Sequence, residues 1–337
     1  MKHIPGKYIS DFLHLIRFQN LLIVALTMIL MRYAILRPLL NAFQVEMIDN
    51  PGTLVPMVLQ TKWYDFFILV VSTVFITAAG YVINDYFDIR TDLINRGSII
   101  VGNTVSRRSA MMYHNIFNIL GVAGGFYVSW RIGFFWMGVL FLLVSGLLYF
   151  YSVTYKRQFL IGNIVIAFLT ALVPFLVVIF DAPSIYRYYL SNAISFPGVS
   201  LLFFWVGGFA LFAFLTTLVR EIVKDIEDYE GDRTYGRRTL PVVAGIMASK
   251  IVANVIIALT ICALYFVWQR YINDRLTLGY ITLLIVLPLI YAGIMTIISR
   301  SREGLHRASA TLKLVMFVGL LYSVVAGYII TTGNFIL

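Results

Sequence analysis

Apolar residues run along this chain in nine long blocks, at about residues 15–36, 64–86, 112–130, 132–151, 159–180, 199–220, 249–269, 277–298 and 313–332. Each is close to the roughly 20 residues an α-helix needs to cross a hydrocarbon core. A segment in lipid must satisfy its own backbone hydrogen bonds, so the blocks predict helices rather than strands. The pattern predicts an all-α polytopic membrane bundle of nine transmembrane helices. Short connections alternate with the blocks and no composition break interrupts them, so residues 1–337 are expected to form a single domain. The longest connections, about 37–63 and 181–198, show no obvious chemistry. Met1 to Asp11 is short and polar and the first block is long enough to remain as a span, so no removable signal peptide is expected.

Composition sharpens this picture. Of 337 residues, 60% are apolar and 12% charged, about half the charged share of a soluble domain. Mean hydropathy is +0.87, which excludes a soluble core and a disordered chain alike. Cys262 is the sole cysteine, so there is no disulfide framework or cysteine metal site. His3, His14, His114 and His306 form no spaced cluster.

A net charge of +10 would suggest nucleic acid in a soluble protein; in a membrane protein it reflects basic cytoplasmic loops. With the N-terminus inside, 19 of the 26 Lys and Arg residues fall in cytoplasmic segments. The sequence therefore predicts an integral protein of the cell (inner) membrane, with a cytoplasmic N-terminus, an outside C-terminus and no nucleic-acid or protein partner.

Nine of the sixteen acids crowd two windows at cytoplasmic block ends. One reads Asn84-Asp85-Tyr86-Phe87-Asp88-Ile89-Arg90-Thr91-Asp92; the other runs from Arg220-Glu221 through Asp225, Glu227, Asp228 and Glu230 to Asp232. Both contain D-x-x-D-x-x-x-D, and the copies lie 140 residues apart. At 100° per residue, Asn84, Asp85, Asp88 and Asp92 share one arc of about 100°. Glu221, Asp225, Asp228 and Asp232 repeat the arrangement, with Gly231 expected to loosen the helix before Asp232. Glu227 and Glu230 fall on the other side, solvated or paired with Arg233.

Carboxylates stacked in this way repel one another near hydrocarbon, at helix C-termini whose dipole favours cations. Mg²⁺ is the natural compensating charge, because it takes one or two carboxylates and completes its shell with phosphate oxygen and water. Asn84, Asp85, Asp88, Asp92, Asp225, Asp228 and Asp232 are the candidate metal ligands. Basic residues interleave with them, and acids for metal beside bases is the composition a diphosphate requires. Arg96, four residues past Asp92, and Lys156, in a short connection, are candidate diphosphate contacts with Arg233 and Arg237. Arg107 and Arg108 are surplus. Intramembrane acids in an internal repeat also build cation-coupled transporters, so that alternative stays open.

Asn84-Asp85-x-x-Asp88-x-x-x-Asp92 followed by a second aspartate-rich helix end resembles the UbiA superfamily of intramembrane prenyltransferases. Nine helices with acidic motifs after the second and sixth match it too, over nearly the whole chain. The resemblance implies Mg²⁺-dependent transfer of an isoprenoid from its diphosphate to a membrane acceptor, in a central cavity opening near the cytoplasmic side. It implies that Asp88, Asp92, Asp228 and Asp232 are catalytic. It also implies that Arg17, Asn20 and Tyr151 line the substrate cavity. Tyr149, Tyr151, Phe168 and Phe214 are aromatic candidates for cation–π contact with a carbocation. Family members often carry Arg/Lys-Pro after the first motif, where this chain has Asn95-Arg96-Gly97.

The stretch from Arg220 to Asp232, then Gly236, Thr239-Leu240-Pro241 and Gly245, resembles the branch that prenylates geranylgeranylglyceryl phosphate. Branches acting on aromatic quinone precursors share the first motif almost as well.

Overall fold

The computed structural model describes residues 5–96 and 99–333, with side chains described for 9–93 and 99–333. In chain order its helices are α1 (Pro5–Leu15), α2 (Phe18–Ala42), α3 (Trp63–Arg96), α4 (Arg107–Arg131), α5 (Val139–Val153) and α6 (Ile161–Asn192). They continue as α7 (Ser200–Glu227), α8 (Tyr229–Thr234), α9 (Ile246–Ile272), α10 (Arg275–Ile298) and α11 (Arg302–Thr331). The two strands, β1 (Gln44–Glu46) and β2 (Leu54–Pro56), pair antiparallel.

Among the described residues, eight helices are long and apolar enough to cross a membrane, where the sequence predicted nine. The difference is α4. It has 25 residues, about 37 Å of helix, but His114, Asn115, Asn118 and three glycines dilute its hydropathy.

The first span also begins later than expected. Arg17 adopts φ +50, which separates the short helix α1 from α2. The fifth extends further, because α6 continues through Pro183 to Asn192. Residues 181–192, expected as connection, are helix.

The chain divides into two compact units. The first comprises residues 1–26, 63–165 and 228–244. Within it α3 and α4 run antiparallel, as a ladder of contacts requires: the His114 ring bonds the Ala79 carbonyl at 3.0 Å, and Arg131 reaches Asp65 at 3.0 Å. Gly121 permits the approach, since a Cβ there would sit 2.5 Å from Ile76. Leu15, Ile16, Leu21, Ala78, Val82, Val101, Val105 and Ala110 form one buried cluster, which docks α1 and the 99–106 loop against α3. At about 51 Å, the 34-residue α3 outruns a hydrocarbon core of about 30 Å. Its last turns, from Asn84 on, therefore project past the apolar span, carrying the first acidic motif with them.

The second unit comprises residues 27–62, 166–227 and 245–337. Here the hairpin residues tie down the end of α6: the Ile48 amide donates to Asn192 O at 2.8 Å and the Val58 amide to the Tyr189 hydroxyl at 2.7 Å. Arg32 and Asp181 form a buried ion pair at 3.2 Å, and Arg32 also donates to the Thr61 carbonyl. The 37–63 and 181–198 segments thus carry an internal polar anchor.

Candidate active site

The first motif acquires its partners within the first unit. Asp88 is buried, and its Oδ1 takes two cations: Lys156 Nζ at 2.8 Å and Arg237 Nη2 at 2.6 Å. Lys156 also donates to Asn84 Oδ1 at 3.1 Å. Arg237 extends its second terminal nitrogen, Nη1, to Asp232 Oδ1 at 3.3 Å. One planar guanidinium therefore joins the first acidic window to the second.

Local backbone geometry sets both cations in place. Lys156 lies in the single 3₁₀ turn Tyr155–Arg157 that follows α5. Gly162, early in α6, lets that turn press down: a Cβ there would stand 2.7 Å from the Lys156 Cα and 2.9 Å from the Tyr155 carbonyl. Arg237 follows Gly236, which takes φ +66, a left-handed conformation that costs glycine little. The Arg237 amide then bonds Asp232 O at 2.9 Å, a six-residue closure typical of helix C-termini. This turn folds the chain back and brings the Arg237 side chain beside Asp232. The Arg238 amide fastens the same strap to Arg157 O at 2.8 Å.

Burial pushes the Asp232 carboxyl up to about 6; Arg237 opposes the shift and the neighbouring Asp228 adds to it. The Arg237 guanidinium lies in the field of Asp92 as well as Asp88 and Asp232. Asp92 and Asp228 are half-buried.

Other sequence candidates separate from this centre. Asp85 pairs with Arg17 at 3.0 Å, and Arg17 lies over the Tyr81 ring at 4.7 Å and in the field of Tyr151. These residues form a second polar group on the same stretch of α3. Asn20 is half-buried one turn beyond Arg17. Arg233, expected beside the diphosphate, is exposed on α8. The Arg96 side chain lies outside the described residues. Of the aromatic candidates, Tyr149 and Phe168 are exposed, while Phe214 is half-buried.

The second motif departs from the expected single arc. Helix α7 ends at Glu227 and a new helix, α8, begins after Asp228, so the break falls three residues before Gly231. Glu221 and Asp225 belong to the second unit, where Glu221 pairs with Arg220 at 2.9 Å and Lys224 at 3.6 Å. Glu227, expected in solvent or beside Arg233, instead meets His306 at 3.2 Å and Arg302 at 3.8 Å.

Among the described residues no three His, Cys, Asp or Glu side chains form a ready cation cage. The donor set nonetheless suits Mg²⁺, which needs only one or two carboxylates where phosphate supplies the rest. Asp88 and Asp232 already hold a positive charge between them, the Arg237 guanidinium, in the role a bound cation would take. Thr91 is the residue missed by sequence reading. Its hydroxyl, buried one turn past Asp88, accepts from Arg237 Nη2 at 2.8 Å. Only its i+3 spacing from Asp88 hinted at this.

Comparison with known proteins gives a consistent result. The UbiA prenyltransferase family matches residues 53–321. Digeranylgeranylglyceryl phosphate synthase from Thermococcus kodakarensis is 31% identical over 265 residues, 78% of this chain and 86% of that one. A solved structure of digeranylgeranylglyceryl phosphate synthase in membranes superposes with a TM-score of 0.61 at 23% identity, over 95% of this chain and 99% of that one. A UbiA homologue from Archaeoglobus fulgidus bound to GPP and Mg²⁺ gives a TM-score of 0.50 at 18% identity, over 94% and 99%.

Proposed function

Because the chain belongs to the UbiA prenyltransferase family, we propose that it transfers a geranylgeranyl group from its diphosphate to geranylgeranylglyceryl phosphate, releasing diphosphate and making a digeranylgeranylglyceryl ether lipid. Family membership sets the transporter alternative aside. The observation that supports this reading is the Asp88–Arg237–Asp232 bridge, which joins an aspartate of the first acidic motif to one of the second, with Lys156 beside Asp88. The acceptor rests on the synthase relatives, and Arg107, 5.3 Å over the Tyr86 ring, is a spare cation suited to an acceptor that carries phosphate.

Asp88, Asp92, Asp228 and Asp232 would hold Mg²⁺, with Asn84 and Asp85 as further candidate donors. Bound there with the substrate, Mg²⁺ would neutralise negative charge on the diphosphate so that it is a better leaving group. The chain's own cations add to that neutralisation. Lys156 and Arg237, held beside Asp88, turn to phosphate oxygens as negative charge develops on them. The allylic C–O bond then breaks, releasing diphosphate, and the acceptor hydroxyl bonds C1 of the prenyl group and gives up its proton to that diphosphate. Arg233 and Arg96 are outer candidates for diphosphate contact, and Arg17, Asn20 and Tyr151 for the cavity. In this reading the protein is one catalytic domain in the cell membrane, its N-terminus cytoplasmic and α4 its ninth span.

Membranes carrying the protein, given labelled geranylgeranyl diphosphate and geranylgeranylglyceryl phosphate, should yield labelled lipid and free diphosphate. Chelation or D88N should stop both. Transfer to an aromatic quinone precursor in place of the glyceryl phosphate would overturn the acceptor, and no diphosphate release from either would overturn the reaction.

A further inference from the structure

We propose that Thr91 is a positioning residue for the diphosphate site, one that holds Arg237 in place when the carboxylates are occupied by cation. The inference rests on the function proposed above. Arg237 has three acceptors: Asp88 Oδ1 at 2.6 Å, Asp232 Oδ1 at 3.3 Å and Thr91 Oγ1 at 2.8 Å. Two are anionic and are the groups a divalent cation would claim. Thr91 is the neutral one. Carboxylates are the stronger ligands for such a cation, so Asp88 and Asp232 turn to it first and the hydroxyl stays with Arg237.

The hydroxyl is oriented for this role. It has a single proton, shared between two Asp88 acceptors, the carbonyl at 3.0 Å and the more distant Oδ1 at 3.4 Å, the first being the back-bond that threonine makes in helices. With its proton committed, the oxygen presents a lone pair to the guanidinium. The side chain is 5% exposed, so water cannot readily replace it. Helical threonine chooses between two χ1 rotamers, and the bonds to the Asp88 carbonyl and Arg237 hold it in this one. Arg237 thus keeps one fixed anchor whether its anionic partners face it or the cation.

The test measures binding of geranylgeranyl S-thiolodiphosphate, an unreactive substrate analogue, to the purified full-length protein in Mg²⁺. T91V should weaken binding about tenfold, the scale of one hydrogen bond to a charged group. T91S, which keeps the hydroxyl, should bind within about twofold of the natural protein. R237Q should also bind weakly, and T91V added to R237Q should cost nothing more, since the residue it positions is already gone. A packing role alone would give losses that add. If T91V does not fold, T91A, which a helix tolerates well, takes its place in the same cycle. Unchanged binding by the variant lacking the hydroxyl, or additive losses, would overturn the role of Thr91 while leaving the proposed function standing. Failure of the natural protein to bind the analogue would overturn that function and the inference with it.

Discussion

Asp88 and Asp232 share one guanidinium: Arg237 donates to the first at 2.6 Å and to the second at 3.3 Å. The two belong to different acidic windows, and neither window could predict the other's contact. Side by side without a cation, the carboxylates would repel strongly.

Removing Arg237 should expose that repulsion. R237Q is expected to destabilise the metal-free protein by about 3 kcal/mol, the usual cost of stripping one partner from a buried ion pair. Added Mg²⁺ should recover part of the loss by replacing the missing charge. Thermal unfolding with and without Mg²⁺ measures both effects, and an R237Q protein as stable as the parent would contradict the bridge.

Asp85 and Asp88 should behave differently despite sharing a motif. Asp85 is committed to Arg17, whereas Asp88 lies with Lys156 and Arg237. D88N should abolish Mg²⁺-dependent transfer, and D85N should raise the Mg²⁺ requirement by less than about tenfold, an ordinary hydrogen-bond scale. Mg²⁺ titrations of turnover for the two variants decide this; equal losses would place both on the metal.

Gly162 offers a test that changes no charge. In G162A the new methyl meets the backbone of Lys156 at 2.7 Å, and backbone yields less readily than a side-chain tip. The variant should fold with a loss of about 1–3 kcal/mol from overpacking and lose diphosphate affinity, because Lys156 moves away from Asp88. Analogue affinity equal to the parent's would mean that the turn does not position Lys156.

Stability should also depend on pH through Asp232. Burial raises its folded value to about 6, above that of about 3.9 in an unfolded chain. The folded state therefore holds the proton more tightly, and this contribution is full below about pH 4 and lost as pH rises through about 6. D232N should flatten that part of the stability profile in metal-free protein. A variant that keeps the same slope between pH 4 and 7 would assign the titration elsewhere.

Much of this protein was legible before folding. Long apolar blocks in lipid read as helices, and the repeated acids singled out Asp88 and Asp232, while Lys156 stood out by its place in a short connection. The tertiary structure decided what a linear pattern cannot carry. Helical phase counts along one unbroken helix only, so the expected arc from Glu221 to Asp232 failed at the break after Glu227. Basic residues are common in cytoplasmic loops for topology alone, so Arg233 and Arg237 looked equivalent until the left-handed turn at Gly236 sent one inward and left the other exposed. Thr91 has no charge and no periodicity to mark it. Its role comes from an arginine far along the chain, brought to it by packing.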